Sequence, residues 1–200
     1  MKDFPDGWWR GAVRRASPNF DARARGSTVD LLVVHAISLP PAEFGGPFVD
    51  RLFLNTLQEA DHPGLEGLDG LRVSAHFFIR RTGETLQYVD VRARAWHAGI
   101  SAFGGEEACN HRALGIELEG TDNHGFSDAQ YEGLVGLSHA LMTAFPALSV
   151  GRIVGHCDIA PGRKTDPGPH FDWVRYRAAL IGAWTRGRTL RSAGVRSTPE

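Results

Sequence analysis

The segment DLLVVHAIS, residues 30–38, constrains the fold more than any other stretch of the chain. It is a short apolar run of Leu and Val, which fits a strand buried on both faces. A strand of that kind needs packed layers above and below it, so the rest of the chain must supply them. RVSAHFFIRRTGETLQYVDV (72–91) reads as two strands around a turn at Thr82–Gly83, and ALGIELEG (113–120) and GRIVGH (151–156) as further short strands. Helices lie between them. Pro47 follows two glycines and opens one helix, with Phe48, Val49, Leu52 and Phe53 on one side. EADHPGLEGLDGL (59–71) is a glycine-spaced loop.

The clearest helix covers 128–145. Ser127 and Gln130 have capping-box spacing, and Tyr131, Leu134, Val135, Leu141, Met142 and Phe145 recur at helical intervals until Pro146. Asp172 caps a last helix in FDWVRYRAALIGAW. Because the hairpin at 72–91 excludes an all-parallel sheet, the expected fold is α/β, a single domain with a central mixed sheet flanked by helices. Residues 1–28 are polar and Arg-rich, punctuated by Pro5, Gly7, Gly11 and Pro18, and read as a loosely structured lead-in to a domain at 29–185. The tail at 186–200 lacks apolar periodicity and is expected to be disordered.

Two hundred residues, 42% hydrophobic and 22% charged, suit one domain with a sizeable core. A formal net charge of −1 gives no overall attraction to nucleic acid or to an anionic membrane. No apolar run approaches the ~18 residues of a membrane span. The amino terminus has no continuous apolar stretch behind its charges and does not read as a secretory signal. Cys109 and Cys157 are the only cysteines, compatible with free thiols in a reducing compartment. The chain reads as cytoplasmic, with no nucleic-acid, membrane or obligate protein partner.

The chemistry gathers at strand ends. His35 and His156 each close an apolar strand, where a rigid core can aim them into one cleft. Two imidazoles converging there would make half of a zinc site, and a third ligand would leave a position for water. Asp158 and Asp166 both qualify on spacing, and spacing does not choose between them. The loop holding Asp166 is stiffened by Pro161, Pro167 and Pro169. Taken singly, each histidine would more simply be a hydrogen-bonded core residue. Alternation puts Glu117 and Glu119 on one face of their strand, where Glu117 is either a proton acceptor beside a metal or part of a solvated face. Lys164 is either an oxyanion partner or a solvated loop lysine.

LLVVHAISLPPAEFGGPFVD, RVSAHFFIRRTGETLQYV, AWHAGIS, CNHRALGIELEGTD, FSDAQYEGL and GHCDIAPGRKTDPGPHFDW occur in that order over roughly residues 17–185. Together they resemble the AmpD-type N-acetylmuramyl-L-alanine amidases. The resemblance implies the fold of the amidase and peptidoglycan-recognition-protein superfamily and a cytosolic enzyme of peptidoglycan recycling. It also implies one zinc per chain on His35, His156 and Asp166, with Glu117 and Lys164 as the catalytic pair. The substrate it implies is a small muropeptide with an anhydro sugar end, cut between N-acetylmuramic acid and L-alanine.

Trp96 and His97 could line the sugar or peptide site, the likeness favouring this for Trp96. Arg72 could grip a stem-peptide carboxylate as a planar fork. Two positions depart from the family pattern. Ala36 stands where Asn usually follows the first His ligand, and Ala108 where Arg often precedes Cys109. Arg112, near in sequence, is the candidate to replace a lost guanidinium. His76 reads as a structural core histidine, and Cys157 is left out of the metal shell because neighbouring strand residues point to opposite faces. His62, His111, His124, His139 and His170 are given no role. Two other readings compete. A non-catalytic muropeptide-binding sensor on this fold would tend to lose metal ligands, and a closed structural zinc site usually has four Cys or His ligands.

Overall fold

The computed structural model describes residues 1–193. Its strands are β1 (Val13–Arg14), β2 (Phe20–Asp21), β3 (Leu31–Ile37), β4 (Phe77–Ile79), β5 (Thr85–Gln87), β6 (Arg94–Ala95), β7 (Ala102–Phe103), β8 (Glu106–Glu107), β9 (Ala113–Glu119) and β10 (Ile153–Gly155). The α-helices are α1 (Phe48–Phe53), α2 (Asp128–Ala144), α3 (His156–Ile159) and α4 (Trp173–Ala193). Six strands form the central sheet in the order β1-β5-β4-β9-β3-β10. Every pairing in it is parallel except the β4–β5 hairpin, so the sheet is mixed as the sequence requires.

β3 is buried along Leu31–His35, and its two faces serve different layers. Leu32 and Val34 join Leu114, Ile116 and Leu118 of β9 in a core closed by Tyr131, Leu134, Leu137 and Leu141 of α2 and Tyr176 and Leu180 of α4. Leu31 and Val33 face the other way, against Ala98, Cys109 and Ile159. On that same face, nearer the hairpin, Phe78, Leu86 and Tyr88 pack with Val49, Leu52 and Phe53 of α1. The continuous Leu/Val run thus reflects cover on both sides.

α2 starts with a reciprocal cap. Ser127 Oγ accepts from the Gln130 amide at 3.1 Å and Gln130 Oε1 accepts from the Ser127 amide at 3.0 Å. Fully buried, the Gln130 Nε2 also donates to the carbonyls of Ile79 and Glu119, tying the helix to the sheet. Asp172 Oδ1 accepts from the Arg175 amide at the start of α4. α4 does not stop at Trp184 but runs to Ala193, so residues 186–193 of the segment read as disordered are helical. Ala, Leu and Arg favour helix there without any apolar stripe. The rest of that segment, 194–200, lies outside the described residues.

Residues 1–28 carry little regular structure, in keeping with their prolines and glycines, yet they are held to the domain at several points. β1 extends the central sheet beside β5, Phe4 is buried in the main core, and Asn19 Nδ2 donates to Val73 and Asn55.

His76 is buried on the sheet. Its Nδ1 accepts from the Gly115 amide at 3.0 Å, which leaves Nε2–H to donate to Ala93 O. Burial, reinforced by the nearby Arg23 guanidinium, holds its pKa well below 6.5. A folded-state pKa depressed below the unfolded value means that unfolding takes up a proton, so stability is lost as pH falls below about 6.5. Urea unfolding of the metal-free protein at pH 7 and pH 5 should therefore show wild type losing up to ~1.4 kcal/mol per pH unit more than His76→Gln, a comparison that cancels the titration of the other buried groups. Equal pH dependence in the two proteins would contradict the neutral state of His76.

Candidate metal centre and active site

The cleft lies at the carboxyl ends of β3, β9 and β10, where the parallel strands of an α/β sheet deliver side chains to one rim. Register places them level. His35 sits opposite Glu117, and Val34 opposite Gly155, so His156 follows at nearly the same height as His35. The strand expected to end at His156 ends one residue earlier, and His156 opens the single turn of α3. Asp158 Oδ2 caps that turn by accepting from the Gly155 amide at 2.7 Å. It is therefore committed to backbone. Asp166 instead meets both histidines.

His35 Nδ1 and His156 Nδ1 are 2.9 Å apart, and Asp166 Oδ2 lies 3.2 Å from the first and 3.1 Å from the second. The three ligand atoms converge on one point with both imidazoles buried. Burial disfavours the charged form of His35 and depresses its pKa to about 4, although Asp166 works in the opposite direction. Asp166 is also pushed upward by burial, but hydrogen bonds from His156 and His35 outweigh this and hold it well below the usual carboxylate range. Two imidazoles and one carboxylate, all turned inward, are the donor set of a borderline divalent cation. The far sides of the rings agree with that fit. His35 Nε2 contacts His97 Nδ1 at 2.9 Å and His156 Nε2 contacts Ala98 O at 3.2 Å, which leaves both Nδ1 atoms to face a cation.

Glu117 Oε1 is 4.0 Å from His35 Nδ1, and its side chain is 12% exposed, which rules out a solvated face. Burial, with the Asp166 charge adding to it, raises the Glu117 pKa well above 4.5, while Lys164 opposes the rise. Its alternation partner Glu119 does different work, accepting from the amides of Gly45 and Arg81. Lys164 is exposed on the loop and lines the cleft together with Glu117, His156 and Asp166. The cleft holds about 260 Å³, and Ile37, Leu39, Leu68, Leu71, Val73 and Trp96 give it an apolar wall.

The other singled-out residues separate clearly. Trp96 and His97 line the cleft. Arg72 is exposed between the lining residues Leu71 and Val73 but is not itself part of the lining. Ala36 lines this cleft, and Ala108 lines a neighbouring cavity of about 610 Å³ with Gly99, Ile100, Glu107 and Arg163. Arg112, the candidate to replace a guanidinium lost at Ala108, lines with Ala108 a further cavity of about 350 Å³ and lines neither of the other two. It pairs with Asp30 at 2.6 Å and with Glu106 at 2.8 Å, at the opposite end of β9 from Glu117. Cys157 has an intermediate exposure, Cys109 is buried, and both are free thiols. No helix among the described residues is long and apolar enough to cross a membrane.

Residues that sequence reasoning passed over include Asn110, whose Oδ1 accepts from the amides of His97 and Ala98 and fixes the strip of chain behind both ligands. Gly115 is required beneath it, because a Cβ there would lie 2.5 Å from the His97 ring.

Residues 25–169 match the family model described as N-acetylmuramoyl-L-alanine amidase. The 1,6-anhydro-N-acetylmuramyl-L-alanine amidase AmpD of Citrobacter freundii is 53% identical over 175 residues, covering 88% of this chain and 93% of that protein. A crystal structure of a selenomethionine derivative of AmpD superposes with a TM-score of 0.86 at 52% identity, over 88% of this chain and 98% of that one. The amidase AmiD of E. coli, solved in complex with anhydro-N-acetylmuramic acid-L-Ala-D-γ-Glu-L-Lys, is similar at a TM-score of 0.57 and 26% identity, over 78% of this chain and 60% of that one. With the fold, the inward-facing cluster and these likenesses in agreement, the chain belongs to the N-acetylmuramoyl-L-alanine amidase family, within its AmpD type.

Proposed function

We propose that the chain is a zinc-dependent amidase that hydrolyses the bond between 1,6-anhydro-N-acetylmuramic acid and L-alanine in soluble muropeptides, acting in the cytoplasm in peptidoglycan recycling. The observation that carries the reading is the His35–His156–Asp166 cluster beside Glu117, on the floor of a cleft with one apolar wall. His35, His156 and Asp166 would hold the metal. When bound, zinc supplies Lewis-acid polarisation and a more acidic water.

The protein does the rest. Glu117, raised above the ordinary carboxylate range, is suited to take the proton of the attacking water and return it to the departing amine of L-alanine. Lys164 places a positive charge at the mouth of the cleft, where the carbonyl oxygen gains negative charge in the tetrahedral transition state. The amide C–N bond breaks, and sugar acid and peptide leave separately. The wall of Leu39, Leu68, Leu71, Val73 and Trp96 suits a compact bicyclic sugar. A reducing sugar would bring an extra hydroxyl against that wall, at a cost of roughly 1–3 kcal/mol if it found no partner. A non-catalytic sensor would need none of Glu117, Lys164 or a complete ligand set.

The test is incubation with anhydromuramyl-tripeptide, with and without chelator, followed by detection of released peptide. Release that chelation stops is expected, with kcat/KM roughly ten- to hundredfold higher than for the reducing muramyl-tripeptide. No release from either substrate would leave the sensor; equal rates would remove the sugar preference and the recycling role.

A further inference from the structure

His35 cannot present a lone pair at Nδ1 unless its proton sits on Nε2. That proton needs an acceptor, and the group within reach is His97 Nδ1 at 2.9 Å. His97 is not a passive neighbour. Asn110 Oδ1 accepts from its amide at 3.3 Å and from the Ala98 amide at 2.9 Å, while Gly115 leaves room beneath the ring. The same two-residue strip thus backs both histidines, His97 through its ring and Ala98 through its carbonyl. Arg163 donates to that carbonyl as well, at 2.7 Å.

The proton inventory of His97 follows. If Nδ1 accepts from His35, the His97 proton must be on Nε2, and that atom is shielded from solvent with no hydrogen-bond partner. A buried donor left unpaired calls for an explanation. Orientation of the neighbouring imidazole supplies one, because a ligating histidine is commonly held in its tautomer by an acceptor on its other nitrogen. We propose that His97 is a positioning residue for the metal centre, fixing the His35 tautomer as the Ala98 carbonyl fixes that of His156. The inference rests on the metal reading of the cluster and adds to it a residue that neither ligates the metal nor takes part in proton transfer.

The experiment measures zinc affinity of the purified full chain by competition with a chromophoric chelator, for wild type, His97→Leu and His97→Asn. Leucine fills similar space without an acceptor. Asparagine places Oδ1 where Nδ1 stood and can accept from His35. His97→Leu should bind zinc about 10- to 100-fold more weakly, and His97→Asn should recover most of the loss. A purely space-filling role would give the reverse ranking. Thermal midpoints of the metal-free forms report whether the fold is intact, and His97→Ala takes the place of the leucine variant if that variant does not fold. Wild-type affinity in His97→Leu, or equal losses in both variants, overturns the positioning role and leaves the metal reading intact. Failure of the wild type to bind zinc overturns both.

Discussion

Replacing His156 by alanine should empty the metal site and abolish turnover, whereas Asp158→Asn should leave both nearly unchanged. The contrast is large because the two side chains, two residues apart, do unrelated work. His156 contributes Nδ1 to a cluster whose other members are 2.9 and 3.1 Å away. Asp158 turns back to cap the Gly155 amide, a role an asparagine oxygen can also fill. Loss of the metal removes several kcal/mol of transition-state stabilisation, which corresponds to about 10³-fold or more in rate. His35→Ala and Asp166→Ala should behave like His156→Ala. Elemental analysis of the purified variants decides the matter, with one zinc per chain expected in wild type and Asp158→Asn. Stoichiometric zinc in a variant lacking all three ligands would sink the assignment.

How far the chain could be read ahead of its structure depended on whether a contact leaves a periodic trace. β3 was legible because cover on both faces leaves a continuous Leu/Val run, and α2 because its cap and core face repeat at helical intervals. The lead-in was less so. Phe4, Asn19 and β1 anchor it through isolated long-range contacts, and isolated contacts leave no period. The two imidazoles lie together because register sets Val34 opposite Gly155, one residue before each histidine, and strand ends could suggest that only as a convergence. Choosing Asp166 over Asp158 needed the resemblance, since the cap made by Asp158 depends on a one-turn helix that spacing does not reveal. For Arg112, nearness in sequence to Ala108 does carry into space, since the two line one cavity, but the tie of its guanidinium to Asp30 is a long-range contact that spacing does not reveal. His97 is legible in the sequence as a cleft residue but not as the partner of His35, because its placement is fixed by Asn110 and by the space above Gly115.

Glu117→Gln should keep zinc and lose most of kcat, by about 10²–10⁴-fold, with KM little changed. Glutamine has nearly the same shape and fills the same place opposite His35, but it cannot take a proton from water. The burial of Glu117 provides a second readout that needs neither substrate nor metal. Its folded-state pKa is raised above the ordinary 4.5 by desolvation and by Asp166, so the folded chain holds a proton that the unfolded chain gives up. The Glu117 contribution to stability therefore falls as pH rises above 4.5, and the native carboxyl weakens the metal-free fold at neutral pH. Removing the ionisable group should raise the metal-free melting temperature at pH 7 and have little effect at pH 4. A catalytic carboxyl held at a cost to stability predicts both results together: slower chemistry and a firmer metal-free fold. A glutamate on a solvated face predicts neither. Unchanged kcat in the zinc-loaded Glu117→Gln protein would remove Glu117 from the reaction, and an unchanged pH 7 melting temperature would deny that it is desolvated.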